Sequence, residues 1–234
     1  MTVTAREFIF AVIKGDTVAV EQELANGMDP NVTDQTPQTT DGNTALMWAA
    51  TEGYLEIAQL LVRHGADADA TNGTQYSALM FAVESDHPAM VNFILDQNVN
   101  IRVRNPYGET PLMIMARQGQ TDIAKRLLTM GADLHATNKI GDTALYLAAE
   151  RGHLYTAKAL LDRGATPNTA NLGGWTPLMM SAAQGNLEMM SLLLEQGADF
   201  RPRNRWGATA LSAAKDSYRA RQASELLLRA GATE

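Results

Sequence analysis

Cysteine is absent from the 234 residues of this chain. Disulfides, thiol nucleophiles and cysteine-ligated zinc or iron–sulfur centres are excluded with it. No run approaches the roughly 18 uninterrupted apolar residues that a membrane-spanning helix needs, so no membrane insertion is expected. Glu7 and Lys14 bracket only six apolar residues, with no basic start before them and no small-residue cleavage site after them. That pattern is not a signal peptide. Cytoplasmic residence is the default expectation, with periplasmic or secreted residence following if a leader has been removed. Basic charge is also short: 19 Lys and Arg stand against 26 Asp and Glu, a net of −7. A whole-surface nucleic-acid binder leans the other way, so no nucleic acid is expected.

Catalytic groupings are missing too. The four histidines, His64, His87, His135 and His153, form no i, i+4 pair and lie beside no cluster of ligand-type residues. No glycine loop of the phosphate-cradling kind occurs, and no serine sits in a G-x-S-x-G elbow. The sequence therefore predicts no enzyme, no cofactor and no metal.

What is present is a chain 45% hydrophobic and 19% charged, which excludes wholesale disorder. Its charge is uneven. Residues 1–100 hold fourteen acidic and three basic residues, a net of −11, whereas residues 101–234 hold sixteen basic and twelve acidic, a net of +4.

The organising feature is a period of 33. Thr44-Ala-Leu46, Ser77-Ala-Leu79, Thr110-Pro-Leu112, Thr143-Ala-Leu145, Thr176-Pro-Leu178 and Thr209-Ala-Leu211 succeed one another at that step. Gly53, Gly119, Gly152 and Gly185 fall nine residues after the hydroxyl residue, and Gly65, Gly131, Gly164 and Gly197 fall 21 after it. A Thr or Ser suits the N-cap of a short helix, and Pro111 and Pro177 suit its first position. The first glycine ends that helix in a left-handed turn. Apolar residues spaced by three and four, such as Leu55, Ala58 and Leu61, then mark a second helix. Gly42, Gly108, Gly141, Gly174 and Gly207 suit a tight hairpin before the next hydroxyl residue. One such unit cannot bury its own apolar faces, so the units must stack.

These motifs resemble the ankyrin repeat family over nearly the whole chain. The resemblance implies an all-α fold, an ankyrin-repeat α-solenoid of about seven helix–turn–helix–hairpin units with two divergent capping repeats. A single domain over 1–234 is expected, with an N-terminal capping repeat at 1–31, five internal repeats at 41–204 and a C-terminal capping repeat at 205–234. The first repeat matches the second at a shift of 38, since Phe8, Ala11 and Gly15 answer Leu46, Ala49 and Gly53. That places an inserted polar loop at 32–40, expected to be mobile. The end repeat carries Lys215, Arg219, Arg221 and Arg229, as a solvent-facing cap would.

The resemblance further implies a binding groove lined by hairpin tips and first helices. Three series fall there. Large side chains sit at or beside the tips: Tyr76, Tyr107, Ile140, Leu172, Trp175 and Trp206. Tyrosine and tryptophan dominate interface energetics, although each ring could instead fold over its neighbouring hairpin. In the column where the family usually has histidine stand Met47, Met80, Met113, Tyr146 and Met179. That column suits either an adaptable contact surface or packing between repeats. The third series is cationic, with Arg104, Arg203 and Arg205 in hairpins, suited to orienting a carboxylate-rich partner. The expected role is a protein-interaction module, monomeric by default, with another protein as partner. An inhibitor or immunity protein that neutralises one cognate enzyme or toxin is the alternative. In a solenoid the charge imbalance becomes a lengthwise gradient, so partner binding is expected to weaken with salt.

Overall fold

The computed structural model describes residues 3–34 and 42–233. Six hydroxyl residues 33 apart begin its regular structure. Thr44, Ser77, Thr110, Thr143, Thr176 and Thr209 each accept the N–H of the residue three further on, at 3.1–3.4 Å. Each bond satisfies one of the donors that a helix start leaves open. The helices so begun are α3 (Ala45–Glu52), α5 (Ala78–Glu84), α7 (Pro111–Gln118), α9 (Ala144–Glu150), α11 (Pro177–Ala183) and α13 (Ala210–Lys215). The first repeat departs from this register. A shift of 38 sets Arg6 opposite Thr44, but helix α1 (Ala5–Ile13) is capped two residues earlier, at Thr4. Glu7 completes a capping box there, its carboxylate accepting the Thr4 N–H at 2.8 Å.

A second helix follows each first one: α2 (Thr17–Ala25), α4 (Leu55–Arg63), α6 (Pro88–Leu95), α8 (Thr121–Thr129), α10 (Leu154–Asp162), α12 (Leu187–Glu195) and α14 (Ala220–Arg229). The turn between the two is tight because the next repeat leans on it. A Cβ added at Gly53 would lie 2.8 Å from the His87 ring, and one at Gly119 would lie 2.5 Å from His153. The same rings bond to carbonyls near the end of the first helix, His87 Nε2 to Thr51 O at 3.0 Å and His153 Nε2 to Arg117 O at 2.9 Å. Two of the four histidines thus serve this joint.

Among the described residues the chain is all-helical, with fourteen helices and no strand, an ankyrin-type α-solenoid in which the helices alternate as seven pairs. Its internal contacts divide it into two compact units, Met1–Pro106 and Tyr107–Glu234. In the first, α1, α3 and α5 lie side by side, as do α2 and α4 and then α6. Phe8, Leu46, Ile57, Leu61, Leu79 and Ile94 fill the space between the layers. In the second, α7, α9, α11 and α13 form one layer, and α8, α10, α12 and α14 the other. Leu112, Leu127, Leu145, Leu160, Leu178 and Leu193 are its buried centre. Buried alanines such as Ala49, Ala82, Ala148 and Ala182 let neighbouring first helices approach closely.

The repeat beginning at Ser77 and the hairpin before it are the exception in backbone chemistry. Gln75, Asp86 and Asn98 take φ of 65°, 57° and 57° at positions where the repeats on either side use glycine. Asparagine and aspartate tolerate this region better than glutamine does. At the C-terminal end Lys215, Arg219, Arg221 and Arg229 are exposed. Of the loop expected at 32–40, residues 35–40 lie outside the described residues. Its described root is closed: Thr33 bridges Thr44, and the Asp34 carboxylate accepts the Asn43 N–H at 2.8 Å and the Trp48 indole N–H at 3.0 Å.

Candidate functional site

The hairpins of the second unit are shaped by an asparagine at each base. The Oδ1 of Asn138 accepts the N–H groups of Ile140 and Asp142, that of Asn171 those of Gly173 and Trp175, and that of Asn204 those of Trp206 and Ala208, all at 2.8–3.1 Å. Asn72 does the same in the first unit, for Thr74 and Tyr76. Such asparagine turns offer the backbone an alternative to helix or sheet. The signal was present in the sequence, because Asn72, Asn105, Asn138, Asn171 and Asn204 recur at a step of 33.

With their shape fixed, successive tips of the second unit bond to one another through backbone alone. Lys139 N–H donates to Tyr107 O at 3.0 Å, Leu172 N–H to Ile140 O at 2.9 Å, and Arg205 N–H to Gly173 O at 3.0 Å. The ladder itself uses only backbone groups, and the large side chains at the tips are exposed. Tyr107, Ile140, Leu172 and Trp206 are 69%, 61%, 58% and 75% exposed. Trp175 is half-buried and leans over its own hairpin. A methyl group placed on Gly173 would meet Trp175 Cδ1 at 3.2 Å and Trp206 Cζ3 at 3.6 Å, so the two indoles flank that glycine.

The cations of these hairpins differ in freedom. Arg201 is held by Asp199 in a two-point pair at 2.9 and 3.0 Å, which keeps the Asp199 carboxyl below its ordinary range. Arg203 donates from Nη1 to Gly207 O at 2.9 Å, across its own hairpin. Arg205 and Lys139 are exposed. The two acids at the tips of these hairpins are turned inward. Glu109 pairs with Arg117 at 3.4 Å, and Asp142 accepts from Asn171 Nδ2 at 2.9 Å.

The methionine column lies elsewhere. Met47, Met80, Met113 and Met179 are at most 1% exposed, and Tyr146, at the same place in its repeat, is also buried. Of the two roles open to this column, burial supports packing between repeats. Met47 also uses its sulfur locally, Sδ accepting the Thr44 N–H at 3.3 Å in place of a capping carboxylate. Burial, and after it the charges of Asp142 and Glu150, push the Tyr146 phenol up from its ordinary value, against a hydrogen bond with Asn171. In the first unit, Tyr76 is half-buried. Its hydroxyl donates to Glu84 Oε1 at 3.0 Å and its ring lies 5.2 Å from that of Phe81. Arg104 is exposed on the last turn of that unit. The structure therefore groups Tyr107, Ile140, Leu172, Arg203, Arg205 and Trp206 as one outward row with Trp175 beside it, and leaves the methionines inside.

Among the described residues, no group of three or more His, Asp or Glu is placed to hold a metal ion, and no helix is long and apolar enough to cross a membrane.

A family profile described as "Ankyrin repeats (3 copies)" matches residues 8–105, 97–171 and 166–233, together most of the chain. The chain belongs to the ankyrin repeat family. Its fold is similar to that of the crystallised human ASB11 ankyrin repeat domain, with a TM-score of 0.82, 26% identity, and coverage of 97% of this chain and 99% of that one. An ankyrin repeat domain from Acinetobacter baumannii AYE is 30% identical, with a TM-score of 0.72 over 80% of this chain and 98% of its own. A stretch of 73 residues is 36% identical to "Ankyrin repeat and KH domain-containing protein mask" of Drosophila melanogaster. That stretch spans 30% of this chain and 2% of the much longer fly protein. Ankyrin repeats are generally protein–protein interaction modules rather than catalysts.

Proposed function

We propose that this chain binds a protein partner through the hairpin tips of residues 107–234, and that it acts by binding and not by catalysis. One observation carries the reading. Four large apolar side chains stand exposed in one row, on hairpins whose backbones are already bonded to one another. Exposed tryptophan and tyrosine on a rigid support lose little freedom on association, which is what concentrates binding energy in a few residues. Trp175, half-buried beside the row, supports Trp206 across Gly173. Arg203 and Arg205 supply charge at the end of the row.

The experiment is site-specific photo-crosslinking in the source cell. A photoreactive amino acid at Leu172 is expected to give a discrete adduct with one or a few proteins. The same group at Val18, equally exposed but away from the hairpins, is expected to give none. Combining the Leu172 probe with Tyr107→Ala and Trp206→Ala is expected to abolish the adduct, each truncation weakening binding by about 30-fold. Identical adducts from both probe positions, or an adduct indifferent to the two substitutions, overturn the reading.

A further inference from the structure

Resting on that reading, we propose that the tip row of residues 107–206 takes an acidic protein segment with apolar residues at regular intervals, lying extended along the hairpins. The argument starts from which groups face out. The exposed side chains of the four tips are Tyr107, Lys139, Ile140, Leu172, Arg203, Arg205 and Trp206, which are apolar or cationic. Carboxylates do occur in these hairpins, but Glu109 and Asp142 are only 7% and 3% exposed and are engaged by Arg117, Asn138 and Asn171. A chain of net charge −7 thus shows no exposed acid at these four tips; Asp133 lies exposed before the tip of its hairpin, and Asp199 is held by Arg201. An acidic occupant meets attraction there and a basic one meets only repulsion.

The spacing sets the rest. Each tip is joined to the next by one backbone hydrogen bond, so the row is one hairpin wide and rises by one repeat at a time. Packed helices lie about 10 Å apart, and an extended polyproline-II chain advances about 3.1 Å per residue with about three residues per turn, so every third side chain faces the same way. One apolar residue in every three therefore meets one tip after another, and acidic residues between them pass Lys139 and Arg205. A single-stranded nucleic acid is the competing polyanion. Two of the four apolar side chains, Ile140 and Leu172, lack a ring for a base to stack on, and the cations are few for a phosphate backbone.

The test is selection of a phage-displayed random peptide library on the full chain. Two variants accompany it, Leu172→Ala/Trp206→Ala and Lys139→Glu/Arg205→Glu. These substitutions leave the backbone ladder intact, and circular dichroism checks the fold of each. Peptides enriched on the parent are expected to be net negative with apolar residues at third positions, and to vanish on the alanine variant. The charge-reversed variant is expected to enrich net positive peptides instead. A synthetic copy of the best peptide is expected to lose affinity by about tenfold or more on the charge-reversed variant, and to weaken with salt. Tip-dependent enrichment of neutral or basic peptides overturns the acidic assignment and leaves the protein-binding reading standing. Enrichment that ignores the alanine substitutions overturns both. Tip-dependent binding of an oligothymidylate more tightly than the best peptide overturns the proposal in favour of nucleic acid.

Discussion

One hairpin corner of the first unit solves the turn differently from those of the second, although Gly42 of the first unit keeps the usual glycine at φ of 61°. In the second unit the corner is always glycine, with Gly108, Gly141, Gly174 and Gly207 at φ of 79–84°. At three of the four the next hairpin comes so near that a Cβ would lie 2.7–3.1 Å from its backbone. In the first unit the corner before α5 is Gln75, at φ of 65°. By register Gln75 faces Pro106, just as Gly141 faces Leu172 and Gly174 faces Arg205. Proline has no N–H, so it cannot take the donor's part that Lys139, Leu172 and Arg205 take. Pro106 is also the last residue of the first unit. The lesson is that glycine at this corner serves two ends, the left-handed turn and the close approach of the next tip. Where the ladder bond has no donor, only the first demand remains, and a strained side chain is admitted.

The largest expected effect is a control on what the two regions share. Met80 and Met113 occupy the same buried column, one in each unit. Met80→Ala and Met113→Ala are each expected to cost about 3 kcal/mol in urea unfolding, and the corresponding leucine variants about 1 kcal/mol or less. A much smaller cost at either site returns the column to the list of contact residues. The second effect separates the two demands on glycine. Gly141→Ala adds both left-handed strain and a contact 2.7 Å from Leu172 N, and is expected to cost about 3 kcal/mol. Gly207→Ala has the same φ of nearly 80° but nothing within 4 Å, so about 1 kcal/mol is expected. Equal losses at the two sites break the comparison. The third effect has the opposite sign: Gln75→Gly is expected to raise stability by about 1 kcal/mol by relieving the strained corner.

These contrasts show how much of the molecule was legible in the sequence. The 33-residue step, the capping hydroxyls and the glycines fixed by positive φ gave the family and the helix pairs, because each is a local demand of the backbone. The exposure of Tyr107, Ile140, Leu172 and Trp206 was also legible as large side chains at turn positions, whereas the half-buried poses of Tyr76 and Trp175 were not. The methionine column was not. Its residue type fits a contact surface and a core equally, and only the packing of adjacent helices decides between them. Thr4 was missed for a related reason: capping follows local chemistry, so the first helix starts where a Thr and a Glu three apart permit, two residues outside the repeat register. The inward turn of Glu109 and Asp142 was hidden as well, because it depends on Arg117 and Asn171, eight and 29 residues further along the chain.

The smallest expected effect uses the one member of the buried column that titrates. Met47 and Met80 of the first unit carry no titratable proton, whereas Tyr146 of the second carries a phenolic one. Burial raises its phenol above the ordinary 10.0, and Asp142 and Glu150 add to the shift. A group with a raised folded-state value keeps its stabilising contribution complete below the unfolded value and loses it as pH rises. Stability of the second unit is therefore expected to be unaffected by Tyr146 below pH 10.0 and to fall above it. Tyr146→Phe removes the titration along with the hydrogen bond to Asn171, so it is expected to start about 1 kcal/mol lower and to fall less steeply in alkali. Urea midpoints followed across that range for the parent and the variant check this. Parallel alkaline slopes would show that Tyr146 ionises no less readily folded than unfolded, and that the column is as indifferent to pH in the second unit as in the first.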